Sequence, residues 1–120
     1  MRTKVFLTLL TAGWVWVCGA AAQDAALIQA ARKEGKVVWH TSLAIPSSTA
    51  IAHYFQNKYK GIEVEVHRNG SQRVLQRFMQ EASAGIKNAD LIHTSDAGNF
   101  ELLKDKGMLL KFTPQGVAGF

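Results

Sequence analysis

The sequence predicts an α/β domain in which helices flank a mainly parallel sheet. From residue 23 onward, segments with the apolar spacing of helices alternate with short runs of β-branched and aromatic residues, the pattern of strand–helix–strand units. A glycine follows each predicted helix, and no long linker, repeat or low-complexity stretch interrupts the alternation. The composition, 48% apolar and 19% charged, is that of one globular domain and not of a disordered chain.

The first 22 residues predict a cleaved secretory signal. Met1–Lys4 carries two positive charges, Val5–Cys18 contains no charge, and Ala20–Ala22 supplies the small residues that a signal peptidase requires. The uncharged run is shorter than the roughly 20 residues that a membrane-spanning helix needs. We therefore expect export, with residues 23–120 as the mature chain.

Charge and cysteine content argue against several classes of function. The whole chain carries 14 basic and 9 acidic residues, but two of the basic ones lie in the predicted signal, so residues 23–120 have a net charge of +3. These charges alternate in sign and form no basic block, which argues against nucleic-acid binding. The single cysteine, Cys18, lies in the signal, so the mature chain has no disulfide, thiolate metal site or cysteine nucleophile.

The first four elements are predicted from apolar spacing and strand propensity. The Ala-rich segment Asp24–Glu34 predicts a first helix, and β-branched and aromatic residues predict a first strand near 36–42. Ser47 predicts the start of a second helix. The apolar stripe of that helix is Ile51, Ala52, Phe55 and Tyr59. Alternating apolar and acidic residues then predict a second, edge-like strand near 62–67.

A third helix, a short strand and a last helix complete the pattern. The third helix has the clearest apolar face, formed by Val74, Leu75, Phe78, Met79 and Ala82. A short apolar strand is predicted near 89–93 and a last helix over Asn99–Lys106. The glycines that end the four helices are Gly35, Gly61, Gly85 and Gly107. Because the first and third strands have a buried character and the second does not, we predict the strand order 2-1-3.

The carboxyl edge of the predicted sheet is where a ligand would bind. Parallel strands joined by right-handed crossovers end at one edge, and open α/β sheets bind ligands outside it. The three loops there are rich in hydroxyl groups and lead into helix N-termini, whose free N–H groups favour an anionic or oxygen-rich ligand. The simpler interpretation is that Ser47, Ser71 and Asp96 are helix N-caps. Three such loops at one edge favour a binding crevice.

Four segments of the mature chain carry a resemblance to a known family. They read EGKVVWHTSL, FQNKYKGIEVEVHR, NGSQRVLQRFMQEASAG and ADLIHTSDAGNFELLKDKGMLLKFTP, and the resemblance covers essentially the whole mature chain. The sequence resembles the N-terminal lobe of an extracellular solute-binding protein, the substrate-binding component of a bacterial ABC importer. Specifically, it is similar to the ferric-iron group of the type II periplasmic binding proteins.

The resemblance implies a two-lobed periplasmic protein that closes like a hinge on its ligand and works with an ABC permease of the inner membrane. It implies neither catalysis nor a cofactor. Residues 23–120 would form an incomplete first lobe, since the family continues into a second lobe and then returns. Carried over by position, the ligand-binding residues are Thr41, Ser42, Gly70, Ser71, Thr94, Ser95 and Asp96.

Two departures from the family leave the cargo open. Ferric-binding members are expected to offer a histidine after the first strand and a glutamate after the third, but these loops read Leu43-Ala44-Ile45 and Ser95-Asp96. The tyrosines that hold iron in the family belong to the second lobe, and the chain stops where that crossing would begin, as a fragment or truncated gene product would. We therefore expect a small anionic or oxygen-rich ligand, with ferric iron as an alternative cargo.

Two histidines end predicted neighbouring strands. His40 and His93 share the pattern His-Thr-Ser, so their imidazoles could lie one strand spacing apart. Two neutral imidazoles at that distance could form part of a metal site. The commoner role of a strand histidine is a partly buried, hydrogen-bonded framework residue, and we predict no metal site.

The sequence leaves two alternatives to a binding protein. An exported hydrolase-type or metal-dependent enzyme fragment needs a nucleophile or a metal motif, and the sequence contains no Gly-x-Ser-x-Gly elbow, His-Glu-x-x-His helix or P-loop. The other alternative is a truncated fragment that binds nothing, because half a crevice lacks the opposing wall that excludes water. We predict a binding protein and no enzymatic activity.

Overall fold

The computed structural model describes residues 20–113 of the chain. Its elements are α1 (Ala20–Glu34), β1 (Lys36–Thr41), α2 (Ile45–Lys58), β2 (Glu63–Arg68), α3 (Ser71–Ser83), β3 (Leu91–His93) and α4 (Ala97–Asp105). Residues 1–19 of the predicted signal lie outside the described residues, so the signal stays a prediction. None of the helices in residues 20–113 is long and apolar enough to cross a bilayer.

The three strands form one parallel sheet in the order β2-β1-β3. This confirms the predicted α/β class and the predicted strand order. The chain crosses the sheet in one direction through α2 and in the opposite direction through α3. Because both crossovers are expected to be right-handed, the two helices cover opposite faces.

The core lies on both faces of β1. Trp39 lies on the α2 face, where it borders a groove together with Ala52 and Phe55. Val38 and His40 point to the opposite face, because successive side chains of a strand alternate. The buried apolar residues of the described chain are Val38, Trp39, Ala52, Ile62, Val74, Leu75 and Leu103. As predicted, β1 is the buried central strand, whereas β2 is only half-buried at the edge.

The four glycines predicted to end helices all have positive φ. The values are 80° at Gly35, 90° at Gly61, 73° at Gly85 and 65° at Gly107. A side chain in this left-handed conformation meets the following carbonyl group, so glycine is the residue that ends these helices with the least strain. The predicted C-terminal boundaries of the helices are thereby confirmed.

The N-termini of the helices differ more from prediction. Helix α2 begins at Ile45 with Ala44 as its N-cap, so the prediction that Ser47 caps it is wrong. Pro46 occupies the first turn, where its fixed φ and missing N–H cost nothing, and this favours the earlier start. Ser71 is the first residue of α3 and not its cap, because Gly70 holds the N-cap position. Helix α4 begins at Ala97, two residues before the predicted start.

Strand β3 is shorter than predicted because a side chain takes over its first backbone interaction. The Val38 N–H donates to Asp90 Oδ2 at 2.8 Å, and the Asp90 N–H donates to Val38 O at 3.0 Å. The ladder proper therefore begins at Leu91, opposite Trp39, and ends at His93, opposite Thr41.

Candidate functional site

One serine from each loop after a strand meets at the carboxyl edge of the sheet. Ser71 Oγ lies 2.7 Å from Ser95 Oγ. The Ser95 N–H donates to both Ser42 Oγ and Ser71 Oγ at 3.1 Å. Strands β2 and β3 lie on either side of β1, so their loops meet beyond the end of β1. We call Ser42, Ser71 and Ser95 the serine cluster.

Backbone hydrogen bonds hold the bases of these loops level. The Ser42 N–H donates to His93 O at 3.1 Å, and the Asn69 N–H donates to Thr41 O at 3.0 Å. Both bonds continue the strand ladders by one step beyond the last paired residue. The serine cluster therefore stands on a continuation of the sheet, which restricts its movement.

The hydrogen bonds of the serine cluster leave hydroxyl protons for a ligand. The Ser95 N–H occupies an acceptor position on Ser42 Oγ and on Ser71 Oγ. Of the three hydroxyl protons, one is used between Ser71 and Ser95. Two O–H donors therefore remain for groups outside the cluster. The cluster can therefore donate two hydrogen bonds to a ligand.

The N-terminus of α3 adds further donors beside Ser71. The first helical bond runs from the Val74 N–H to Gly70 O at 3.0 Å. The N–H groups of residues 71–73 consequently have no carbonyl partner within the helix. Together with the positive end of the helix dipole, they make this end of α3 attractive to negative charge.

Thr41 is buried below the serine cluster and supports it from inside. Its side chain is fully buried, and its Oγ1 accepts the Leu43 N–H at 3.1 Å. Thr41 Oγ1 also lies 3.3 Å from His93 Nδ1. Thr41 thus fixes the loop that carries Ser42.

Thr94 organises the loop after β3 in the same way. It is buried, and its hydroxyl donates to Asp96 O at 2.9 Å. The same oxygen accepts the Asp96 N–H and the Asn99 Nδ2–H, both at 3.3 Å. Hydrogen bonds between Thr94 and Asp96 therefore close the turn that carries Ser95.

Asp96 is a helix cap, as the simpler interpretation of the sequence held. Its Oδ1 accepts the Gly98 N–H at 3.0 Å, and its Oδ2 accepts the Gln72 Nε2–H at 3.2 Å. The first bond caps α4 and the second ties α4 to α3. Both carboxylate oxygens already have a protein donor, which reduces the capacity of Asp96 to hold a cation.

Gly70 lies exposed at the N-cap of α3 with an extended backbone, φ −67° and ψ 153°. A Cβ built there would meet nothing within 4 Å. Neither its conformation nor its surroundings demand glycine, so its predicted role as a ligand contact stays a prediction. The open space beside it is where a ligand could approach the N-terminus of α3.

The prediction that His40 and His93 lie side by side is wrong. The register places Thr41 opposite His93, whereas His40 lies opposite Ile92 on β3 and His67 on β2. Since neighbouring residues of a strand point to opposite faces, the two imidazoles are separated by the sheet. In residues 20–113, no group of three or more His, Cys, Asp or Glu side chains is arranged to hold a metal ion.

Three residues that contribute to this edge were not singled out by the sequence. Gln72 links α3 to Asp96, Asn99 supports Thr94, and the Arg68 Nε–H donates to Leu43 O at 3.2 Å. Asn99 is detectable in principle, because a polar residue three positions after an N-cap can reach back to the residues before the helix. The Arg68 contact depends on how two loops pack and leaves no local pattern.

Comparison with known proteins shows the fold. A similar solved structure is that of iron-bound HitA from Pseudomonas aeruginosa, with a TM-score of 0.60 and 24% sequence identity. The match covers 69% of this chain and 26% of that chain, so the chain spans about a quarter of its length. No family model matches the sequence, and no curated protein matches it significantly.

Proposed function

We propose that this chain is part of the substrate-binding component of a periplasmic ABC import system and that the serine cluster holds an oxyanion group of its cargo. The observation that carries the proposal is the convergence of Ser42, Ser71 and Ser95, which offers two hydroxyl protons beside the N-terminus of α3. Carboxylates and phosphates accept hydrogen bonds and carry negative charge, so they match both features.

The buried threonines give this site a supporting layer. We assign direct ligand contacts to the serine cluster and to the backbone at Gly70. Thr41 and Thr94 are buried, so we assign them the role of positioning Ser42 and Ser95. A binding group held by buried hydrogen bonds loses less conformational entropy when a ligand arrives.

Transport rather than catalysis fits the chemistry of the cluster. A hydrolase needs a base in contact with its nucleophile. Within the described chain, the hydroxyl groups of Ser42, Ser71 and Ser95 form their hydrogen bonds with one another and with the Ser95 N–H. We therefore propose a binding role without turnover, in the periplasm, with an inner-membrane ABC permease as the partner that receives the cargo. The similar fold of HitA supports this assignment.

Ferric iron is the second candidate cargo. It is favoured by the iron in the similar HitA structure. Against it stands the engagement of both Asp96 oxygens by protein N–H groups. Iron would have to be held largely by residues outside this lobe, with the serine cluster binding an accompanying anion.

The proposal is tested by calorimetric titration of the full-length natural protein with inorganic phosphate and, separately, with ferric ion. Ser42, Ser71 and Ser95 are each replaced by alanine. Loss of one hydrogen bond to a charged group costs about 1.5–3 kcal/mol, so each variant should bind phosphate roughly ten- to a hundred-fold more weakly.

Ser83→Ala is the matched control, because Ser83 lies at the far end of the same helix and its hydroxyl donates to Met79 O at 2.8 Å. It should bind phosphate like the wild type. Wild-type affinity in all three cluster variants, or no phosphate binding by the wild type, contradicts the oxyanion site. Binding of ferric ion without any anion would identify iron as the cargo instead.

A further inference from the structure

A buried histidine lies under α3 with no hydrogen-bond partner for its ring. His40 is 1% exposed, and neither Nδ1 nor Nε2 has a partner in the described part of the chain. A buried polar atom without a partner is costly, so a neutral imidazole is the form that this position tolerates best. This feature lies on the opposite side of the sheet from His93, and the proposed binding site makes no use of it.

Charged groups surround His40 on β2 and α3. On β2, the His67 ring packs edge to face against it with centroids 5.1 Å apart, and His67 Nε2 lies 2.8 Å from Glu65 Oε1. On α3, the Arg77 Nε–H donates to Glu81 Oε1 at 2.8 Å, while Glu81 Oε2 is buried without a partner. Arg77, His67, Glu65 and Glu81 are thus near enough to act on this ring electrostatically.

Burial is the largest influence and lowers the pKa of His40 below its ordinary value. Arg77 and His67 act in the same direction, whereas Glu81 and Glu65 oppose it. The folded chain therefore resists protonation at a position where the unfolded chain, with an ordinary histidine pKa of about 6.5, accepts it. Stability is complete above that value and is lost as the pH falls towards the lower pKa of the folded state.

We propose that His40 is an acid-sensitive anchor for α3: its neutral ring fills the space between β1 and α3, and its protonation loosens that helix from the sheet. Helix α3 carries Ser71, so loosening it opens the contact between Ser71 and Ser95 and disorders the serine cluster. The anchor is a property of the fold and does not depend on whether the serine cluster binds an oxyanion.

Amide hydrogen exchange at several pH values tests the anchor in the full wild-type chain. After correction for the intrinsic exchange rate, the protection of α3 amides should fall between pH 7 and pH 5 by up to about tenfold per pH unit, the limit for one proton. Amides of α2, on the opposite face, should lose less protection. Equal losses in α2 and α3, or no loss in α3, would overturn the proposal.

A variant isolates His40 as the cause. His40→Leu replaces the imidazole with an apolar side chain of similar size, so α3 protection should no longer depend on pH in this range. His53→Gln is the control, because His53 is an exposed histidine of α2, and its pH profile should match that of the wild type. Should His40→Leu fail to fold, the imidazole resonances of wild-type His40 decide the matter: titration in the ordinary histidine range refutes the anchor, and titration at lower pH supports it.

Discussion

Replacing Thr94 by valine removes one buried hydroxyl and three hydrogen bonds while keeping the shape of the side chain. The hydroxyl partners are Asp96 O, the Asp96 N–H and the Asn99 side-chain amide. Asp96 is exposed, so its two backbone groups can turn to water, at a loss of about 0.5–1 kcal/mol for each bond. The Asn99 amide is buried and loses a partner, which costs about 1–3 kcal/mol. We expect Thr94→Val to lower the free energy of unfolding by about 2–5 kcal/mol in total.

Urea denaturation followed by circular dichroism measures this free energy, and Thr94→Ser is the control. Serine keeps the hydroxyl and loses one methyl group, so it should cost only about 1 kcal/mol. In Thr94→Val the amide of Ser95 should also exchange faster, because its loop is no longer closed. If Thr94→Val is as stable as Thr94→Ser, the hydroxyl does not organise the loop after β3, and the supporting role given to Thr94 is wrong.

Three further outcomes are expected from the packing and the caps. Leu103→Ala should destabilise the fold by about 2–5 kcal/mol in thermal or urea unfolding, because Leu103 is 0% exposed, whereas Leu102→Ala, at 41% exposure, should cost clearly less. Gly35→Ala should lower the free energy of unfolding by about 1–2 kcal/mol because of its φ of 80°, since no atom lies within 4 Å of the new Cβ. Gly35→Asn should lower it less, and equal losses in the two variants would refute the backbone argument. Asp96→Ala should lower the free energy of unfolding by about 1 kcal/mol through loss of the α4 cap. Asp96→Asn keeps an acceptor for the Gly98 N–H and should retain most of this stabilisation.

Strand order and helix ends could be predicted because they depend on local patterns. The apolar run of β1 requires burial on both faces, and the alternating residues of β2 allow an edge position, which together indicate the order 2-1-3. Glycine is the residue that enters a left-handed conformation at little cost, so the four helix ends were readable from Gly35 and its counterparts.

The register of β3 could not be predicted from its sequence. Asp90 uses its side chain to accept the Val38 N–H, which makes Leu91 the first paired residue and aligns His93 with Thr41. A shift of one residue moves every side chain to the other face, so the shared His-Thr-Ser pattern wrongly suggested a histidine pair. The prediction that the three serines meet depends less on this register. Loop side chains can still contact one another when the strands are offset by one residue.

The start of α2 was missed for a related reason. Ser47 has the side chain of an N-cap, but Pro46 is suited to the first turn and moves the start of the helix to Ile45. Ser48, not Ser47, is the buried serine of this turn, and its hydroxyl donates to Ala44 O and Ile45 O at 3.2 and 3.1 Å. Two competing start signals within three residues cannot be ranked without the packing of the helix on the sheet.

The oxyanion site at the serine cluster is tested most directly by two-dimensional amide NMR of the chain during titration with sodium phosphate, against sodium chloride at equal ionic strength. Amide chemical-shift changes report binding and the residues at which it occurs. We predict that the largest phosphate-specific shifts occur at the amides of residues 71–73 and of Ser95, and that they disappear in Ser71→Ala. Phosphate shifts that leave these amides unchanged, or that follow the exposed lysines instead, would contradict the account.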